Sequence, residues 1–363
     1  MAGKRYFDYP MLFLVIFLIC FGMVMIYSTS SYKSTVTYGN SYHWVLRQAV
    51  AVVLGAVAMV ACCKLDYRLM KSEKFGNGCY WVSIALLVLV LAIGAAKKGA
   101  VRWISIAGFQ FQPSEVAKIL VVIYLANRLS INAHKIRTFK DSIVIVAPTI
   151  PIIGLIVTQN LSTALVVCAM IGVMLFVVSP KTKELLMTAG GGIGLLVVYL
   201  LTANSYRNER VQIWLHPESH KKGFQTMQAL YAIGSGGIFG KGLGQSMQKM
   251  GFIPESHNDM IFSIICEELG LFGAVCLILV FMALVYRMLL IAMNTDDLFG
   301  SLVVIGFMTH IAIQVFINIA VVTNTIPPTG IPLPFISYGG TSILVVMIEM
   351  GIVLSISKRI HIG

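Results

Sequence analysis

The feature that most constrains the fold is a series of ten apolar runs along the chain. A helix needs about 20 mostly apolar residues to cross the hydrocarbon core of a bilayer. Only 12% of the 363 residues are charged, which is about half the fraction of a soluble domain. The sequence therefore predicts an all-α, polytopic membrane protein with about ten transmembrane helices in a single domain, 1–363. The predicted spans are 10–29, 44–63, 79–96, 114–130, 142–158, 161–178, 184–203, 261–290, 298–322 and 338–357.

The distribution of basic residues predicts the orientation of these spans. Lys and Arg concentrate in cytoplasmic loops beside membrane-spanning segments. More than half of the 27 basic residues fall on one side, from Lys4 and Arg5 to Lys358 and Arg359. An even number of spans puts both termini on that side, which we expect to be the cytoplasm. The net charge of +12 then fits contact with anionic membrane lipid better than with nucleic acid.

Most of the remaining basic residues lie in two segments that this topology places outside. One is the approach to the fourth span, with Arg102 and Lys118. The other is a large loop between spans seven and eight, about 204–260, and it contains Arg210, Lys241 and Lys249. The rule that basic residues concentrate in cytoplasmic loops does not require cations on the outer side. They either bind an anion on the outer face or are simply solvated loop residues.

The start of the fourth span carries an ionisable pair. Pro113 suits the first turn of a helix, and Glu115 favours the positive end of the helix dipole. Glu115 and Lys118 are three residues apart, so they share one helix face. The pair is either a local ion pair at the membrane interface or part of a functional site, the default hypothesis for ionisable residues in a span.

The glycine-rich stretch from Gly234 to Gly244 does not match a nucleotide-binding loop. Lys241 is followed by Gly242 rather than by Ser or Thr, and no GxGxxG spacing occurs. We expect a flexible outer loop. Either its backbone N–H groups and Lys241 contact a phosphate, or the glycines only make the loop flexible.

Asp259 is the candidate catalytic residue. Ser256 and Asp259 precede the eighth apolar run as S-x-x-D, the pattern of a helix-capping box. Asp259, next to His257, is accordingly a helix cap, or a general base or metal ligand kept ionised by the helix N-terminus. The two roles are compatible.

A proline-rich segment, 327–342, precedes the last span. It holds four prolines among uncharged and largely apolar residues, so it suits neither a regular span nor a solvated loop. Irregular backbone at membrane depth is tolerated where it lines a cavity or packs inside protein. We expect a re-entrant wall that presents Ser337, Thr341 and Ser342.

Taken together, these motifs resemble the SEDS family of FtsW, RodA and SpoVE, and they occur in the family's order from the first span to the last. The resemblance is carried by residues 99–104, 111–118, 234–244, 254–270 and 332–342, and it is closer to the FtsW/SpoVE branch. One motif departs from the family pattern. Gln159-Asn160-Leu161-Ser162-Thr163 stands where the family often has Pro-Asp-Leu-Gly-Thr, so an amide replaces the usual carboxylate.

The resemblance implies a peptidoglycan glycosyltransferase of the bacterial plasma membrane that polymerises lipid II on the outer face. It implies a class B penicillin-binding protein as partner, within the machinery of division or sporulation. The family's essential acid matches Asp259, and its conserved acid and lysine match Glu115 and Lys118. A divalent cation, Mg²⁺ or Mn²⁺, held by Asp259 and Glu115 is an open alternative. The residues expected to contact the substrate are Arg102, Gln112, Glu115, Lys118, Arg210, Lys241, Lys249, His257, Ser337 and Thr341.

Two other functions stay open at this point. A lipid II flippase would use intramembrane polar groups and a re-entrant segment as a headgroup path, although the sequence shows no internal repeat of the kind that marks many transporters. A noncatalytic scaffold of the division or spore-cortex machinery would tolerate loss of Asp259.

Overall fold

The computed structural model describes residues 7–97, 100–106, 109–136, 138–179, 183, 184, 187, 190, 206–220, 223–254 and 256–360. Within these ranges the chain is mainly helical, and nine helices are long and apolar enough to cross a membrane. The predicted all-α, polytopic fold is confirmed. The predicted span 184–203 lies outside the described residues, apart from positions 184, 187 and 190.

The described helices follow the apolar runs closely. Their bounds are α1 (Tyr9–Tyr38), α2 (His43–Lys64), α3 (Glu73–Ile93), α4 (Pro113–Asn132), α5 (Phe139–Val146), α6 (Ile150–Gln159), α7 (Leu161–Val178), α8 (Tyr206–Leu215), α9 (Phe224–Ser235), α10 (Ile261–Met293), α11 (Leu298–Val322) and α12 (Gly340–Ser357).

Local chemistry sets several helix ends. The Asp8 side chain accepts a hydrogen bond from the backbone N–H of Met11 and so caps α1. Gly39 ends the same helix with a left-handed φ of 68°, which glycine adopts without steric cost. Pro113 occupies the first turn of α4, as predicted, because the missing N–H has no partner to lose there.

The fifth predicted span, 142–158, lies within one candidate span, Lys140–Gln159, whose α-helix is interrupted near its middle. Helix α5 ends at Val146, and a 3₁₀ turn at Ala147–Thr149 joins it to α6. Pro148 and Pro151 lie at this junction. Proline has no N–H to donate and its ring clashes with the preceding turn, so a continuous α-helix is disfavoured.

A small antiparallel sheet between α3 and α4 was not predicted. Its strands are β1 (Ala95–Lys97), β2 (Ala100–Ile106) and β3 (Phe109–Phe111), and β2 lies between the other two. Ile104 pairs with Phe111 and Ala95 pairs with Trp103. In strands of three to seven residues, the alternation of apolar and polar residues is too short to be recognised beside long apolar runs.

The glycine-rich stretch is packed rather than flexible, contrary to expectation. Helix α10 is interrupted at Gly270, which has a φ of 69°. At this break the backbone N–H groups of Leu271 and Phe272 donate to the carbonyl oxygens of Gly237 and Ile238 at 2.9 and 3.0 Å. Lys241 N–H donates in turn to Glu267 O at 2.9 Å. The stretch therefore fills the interruption and satisfies the backbone groups that the break releases.

Among the described membrane-crossing helices, α4, α11 and α12 are the most buried. Each of them presents long runs of fully buried side chains, including Leu125, Phe307 and Val353. Helix α12 lies close against α2, since a Cβ on Gly351 would come within 2.5 Å of Met59 O.

Tyr67, in the 3₁₀ turn that follows α2, gives a prediction for the pH dependence of stability. Burial, together with its hydrogen bond to Asp297, raises the pKa of Tyr67 to about 12. An unfolded tyrosine has a pKa of about 10, so folding favours the neutral phenol. Its stabilising contribution is fully present below about pH 10 and is lost as the pH rises through the folded pKa.

We therefore expect Tyr67→Phe to flatten the fall in thermal unfolding temperature between about pH 10 and pH 12. Tyr286→Phe, at an exposed position, is the matched control. Identical pH profiles for the wild type and Tyr67→Phe would show that this phenol does not contribute.

Candidate active site

The candidate site lies at the end of the bundle where α4 and α12 begin, here called the site end. The segment 206–260 and the proline-rich segment meet there. Arg210 donates to Pro328 O at 3.1 Å, and the Trp214 indole N–H donates to Asn324 O at 2.9 Å. Tyr338 N–H donates to His257 O at 2.9 Å. Residues 81 to 118 positions apart in the sequence thus form one surface.

Asp259 lies immediately before α10 and is partly exposed at the site end. Its carboxylate faces the backbone of Gly330, where a Cβ would be 3.5 Å from Asp259 Oδ2. The predicted capping box is wrong. Helix α10 begins at Ile261, its N-cap residue is Met260, and no side chain caps it. The Asp259 carboxylate therefore does not cap α10.

His257, Ser337 and Thr341 are all brought to the site end. The buried His257 ring lies 5.2 Å from the Trp44 ring and 5.7 Å from the Tyr338 ring, centroid to centroid. Burial raises the pKa of the Tyr338 phenol. Ser337 Oγ donates to Asn258 O at 2.7 Å, and Thr341 Oγ1 donates to Gln110 O at 2.9 Å.

Gln112 joins the small sheet to the start of α4. Its backbone N–H donates to Thr341 Oγ1 at 3.3 Å, and its side-chain amide donates to Ser114 Oγ at 3.1 Å. Arg102, on β2, donates from Nε to Gln159 O at 2.5 Å. Asn160, the amide at the departure from the family pattern, accepts from Ser162 N–H and caps α7. At the site end, a backbone carbonyl therefore holds Arg102, and two side-chain hydroxyls hold Gln112.

Glu115 and Lys118 belong to a longer buried charge chain than predicted. Lys118 Nζ lies 2.9 Å from Glu115 Oε1 and 2.8 Å from His310 Nε2. His310 Nδ1 lies 2.9 Å from both carboxylate oxygens of Glu349. The four side chains are at most 6% exposed. Contact between them links α4, α11 and α12.

His310 and Glu349 were not predicted as site residues, although each is an ionisable residue near the middle of an apolar run. That position was itself a signal, because the cost of burying charge in a membrane makes such residues functional candidates. The sequence did not show which residues pair, because Lys118 and His310 are 192 positions apart and His310 and Glu349 are 39 positions apart.

Lys241 and Lys249 contact a pair of adjacent acids on α10. Lys241 Nζ lies 2.7 Å from Glu267 Oε1, and Lys249 Nζ lies 2.7 Å from Glu268 Oε1. Lys249 also contacts Ser28 Oγ at 3.0 Å. The Lys249 side chain is 5% exposed and the Lys241 side chain is 36% exposed. Of the two, Lys241 therefore offers the more accessible positive charge.

The described residues do not bring Asp259 and Glu115 into a metal-binding group. Among them, no cluster of three or more His, Cys, Asp or Glu side chains is arranged to hold a metal ion. Mg²⁺ in proteins is usually held by one or two carboxylates together with substrate phosphates, so these side chains alone do not form a complete site for it.

Comparison with known proteins assigns the chain to a family. The family model FTSW_RODA_SPOVE, described as cell cycle protein, matches residues 9–361. A "Probable peptidoglycan glycosyltransferase FtsW" of Geobacter metallireducens is 36% identical, with 98% of this chain and 96% of the relative covered. "Stage V sporulation protein E" of Bacillus subtilis is 34% identical, with 97% of each chain covered.

Solved structures agree with these relatives. A structure described as "Structural coordination of polymerization and crosslinking by a peptidoglycan synthase complex" matches with a TM-score of 0.80 and 28% identity over 97% of each chain. The crystal structure of Thermus thermophilus rod shape determining protein RodA matches with a TM-score of 0.73 and 27% identity over 98% of each chain. The sequence match over nearly the whole length and the shared fold lead to one conclusion: this chain belongs to the FtsW/RodA/SpoVE family of cell cycle proteins.

Proposed function

We propose that this multi-pass membrane protein polymerises lipid II, with Asp259 as the general base. Its function is that of a peptidoglycan glycosyltransferase, as in the relatives that match nearly its whole length. The observation that supports the base assignment is the position of Asp259. Asp259 is partly exposed at the site end, its carboxylate lies beside the Gly330 backbone, and Arg210 contacts Pro328 two residues before that glycine.

In the proposed reaction, the 4-hydroxyl of one lipid-linked disaccharide attacks the anomeric carbon of the growing chain. A C–O bond forms there, and the bond from the anomeric carbon to the polyprenyl diphosphate breaks, so the anomeric centre is inverted. Asp259 takes the hydroxyl proton, and the diphosphate leaves with the electron pair of the broken bond. General base catalysis of this kind contributes about 10²- to 10⁴-fold in rate.

The leaving diphosphate requires positive charge at the site end. Arg102 and Arg210 are partly buried there, and Lys241 is the more exposed of the two paired lysines. These three are the proposed diphosphate contacts, since fixed cations stabilise charge that develops on a leaving group. Lys118 and Lys249 are buried in ion pairs, so we propose that they act by holding Glu115 and Glu268 in place.

We further propose that both termini are cytoplasmic and that the site end faces the outside of the bacterial plasma membrane. The basic residues near the termini and in the short loops favour this orientation. The 1–363 chain would act as a single domain with a class B penicillin-binding protein, in division or in sporulation. The similarity to a peptidoglycan synthase complex and to a stage V sporulation protein supports these assignments.

The decisive experiment replaces Asp259 by asparagine, which keeps the shape of the side chain and removes the base. We expect purified Asp259→Asn, incubated with lipid II and the partner transpeptidase, to lose at least about 10²-fold in polymerisation rate. Products would be separated on a gel, where the wild type gives a ladder of glycan chains. Asp296→Asn, an exposed aspartate at the opposite end of the bundle, is the matched control and should leave the ladder unchanged.

Two results would contradict the proposal in different ways. A normal ladder from Asp259→Asn would remove the base assignment but keep the polymerase. A wild-type protein that moves lipid II between the leaflets of vesicles, without lengthening it, would favour the flippase instead.

A further inference from the structure

Three consecutive backbone carbonyl groups around Asp259 accept hydrogen bonds from three donors on other parts of the chain. His257 O accepts from Tyr338 N–H at 2.9 Å. Asn258 O accepts from Ser337 Oγ at 2.7 Å, and Asp259 O accepts from Asn318 Nδ2 at 2.8 Å. The peptide planes on both sides of the Asp259 Cα are therefore fixed from outside their own segment.

The two side-chain donors are themselves held in place. Asn318 Nδ2 also donates to Ile331 O at 2.8 Å, and Asn318 is 1% exposed. Ser337 Oγ accepts from Leu333 N–H at 2.8 Å, and Ser337 is 5% exposed. Each side chain thus joins the Asp259 segment to the proline-rich segment, and burial restricts both side chains to these positions.

The proline-rich segment is a stiff support for these bonds. Its prolines restrict φ to about −65°. Phe335 lies at a left-handed φ of 64°, a conformation that only a well-determined surrounding maintains in a residue other than glycine. The backbone of α1 lies directly against it, since a Cβ on Gly22 would be 2.5 Å from Phe335 O. The segment is therefore packed directly against α1.

We propose that Asn318 and Ser337 are positioning residues for Asp259. Together with the Tyr338 N–H, they set the orientation of the peptide groups from which the catalytic carboxylate projects. This inference rests on the proposed role of Asp259 as the base. A base must approach the proton it removes to hydrogen-bond distance, and a misplacement of about 1 Å costs about 10²-fold in rate.

A purely structural role would have a different signature. If these bonds only joined two loops, their loss would lower stability without a specific effect on turnover. If they position Asp259, the turnover number of the folded protein falls while the Michaelis constant changes little. Substrate binding depends mainly on the cationic groups, which these substitutions leave in place.

The test compares Asn318→Asp, Ser337→Ala and Ser337→Thr with wild type in full-length protein assayed on lipid II. Asn318→Asp keeps the side-chain shape and removes the N–H donor, and Ser337→Thr retains the hydroxyl. We expect Asn318→Asp and Ser337→Ala to lower kcat about 10- to 100-fold with KM changed less than about twofold. Ser337→Thr should recover most of the rate.

Ser355→Ala is the matched control. Ser355 is 5% exposed, like Ser337, and its hydroxyl also donates to a carbonyl of another segment, Leu65 O, but at the opposite end of the bundle. The positioning role is refuted if Ser337→Ala and Asn318→Asp lower kcat no more than Ser355→Ala does, or only in proportion to the folded fraction. Asp259→Asn is assayed in parallel. If that variant polymerises normally, the base assignment has failed rather than the positioning role.

Discussion

Gly270→Ala is expected to destabilise the protein by about 2–6 kcal/mol, because two costs coincide at this position. Gly270 has a φ of 69° and a ψ of −171°, a region of backbone space that is essentially restricted to glycine. A Cβ there would also lie 2.3 Å from Gly240 N and 2.4 Å from Ile238 O. Both neighbours are backbone atoms, so a side-chain rotation cannot relieve the overlap.

The glycine-rich stretch supplies controls that separate the two costs. Gly236 has a φ of −73°, but a Cβ would lie 2.0 Å from Cys266 O, so Gly236→Ala introduces the overlap alone. Gly237 has a φ of 58° and nothing within 4 Å of its Cβ, so Gly237→Ala introduces the backbone strain alone. Gly234→Ala, in α9 with nothing within 4 Å, introduces neither and should gain up to about 1 kcal/mol.

The measurement is the thermal unfolding of the detergent-solubilised variants, followed by loss of the monodisperse species. The expected order of stability is Gly234→Ala first, Gly237→Ala and Gly236→Ala between, and Gly270→Ala last. If Gly270→Ala were as stable as Gly234→Ala, the packing of the glycine-rich stretch into the α10 break would be wrong.

The same packing matters for the site, because it positions the two acids of α10. Lys241 N–H and Gly242 N–H donate to Glu267 O and Glu268 O, each at 2.9 Å. The pairs Lys241–Glu267 and Lys249–Glu268 therefore depend on a docked glycine-rich stretch. We infer that opening the break would disperse positive charge that the proposed diphosphate contact requires.

The sequence was sufficient for those features that depend on run length and on spacing within one helix. Apolar runs located the membrane helices, and the three-residue spacing of Glu115 and Lys118 predicted their ion pair at 2.9 Å. The break at Gly270 was not predictable, because a glycine inside an apolar run is also common in unbroken membrane helices. Its left-handed φ is stable only because a segment about 30 residues earlier in the chain fills the gap.

The contacts that organise the site were equally hidden in the sequence. Asn318 was visible as a polar residue near the end of an apolar run, but its contact with Asp259 O joins residues 59 positions apart. The capping-box pattern at Ser256 and Asp259 predicted the wrong role, because tertiary bonds to this segment override the local preference. Patterns along one helix carry no information about such contacts between elements.

Lys118→Met is expected to destabilise the protein by about 3–5 kcal/mol, since it removes one partner from a buried charge network. Lys118 is fully buried and contacts Glu115 and His310 at 2.9 and 2.8 Å. When the ammonium of Lys118 donates to His310 Nε2, the neutral imidazole carries its proton on Nδ1 and donates it to Glu349. Methionine fills a similar volume but leaves the Glu115 carboxylate buried without its cation.

The double variant Glu115→Gln/Lys118→Met tests this explanation. Removing both members of a buried ion pair is often nearly neutral, whereas removing one leaves an uncompensated charge. We therefore expect the double variant to unfold at a higher temperature than Lys118→Met alone, although it differs from wild type at one more position. Equal unfolding temperatures would mean that Lys118→Met acts through lost packing and not through the charge of Glu115. Recovery would show that the charge of Lys118 compensates the buried charge of Glu115.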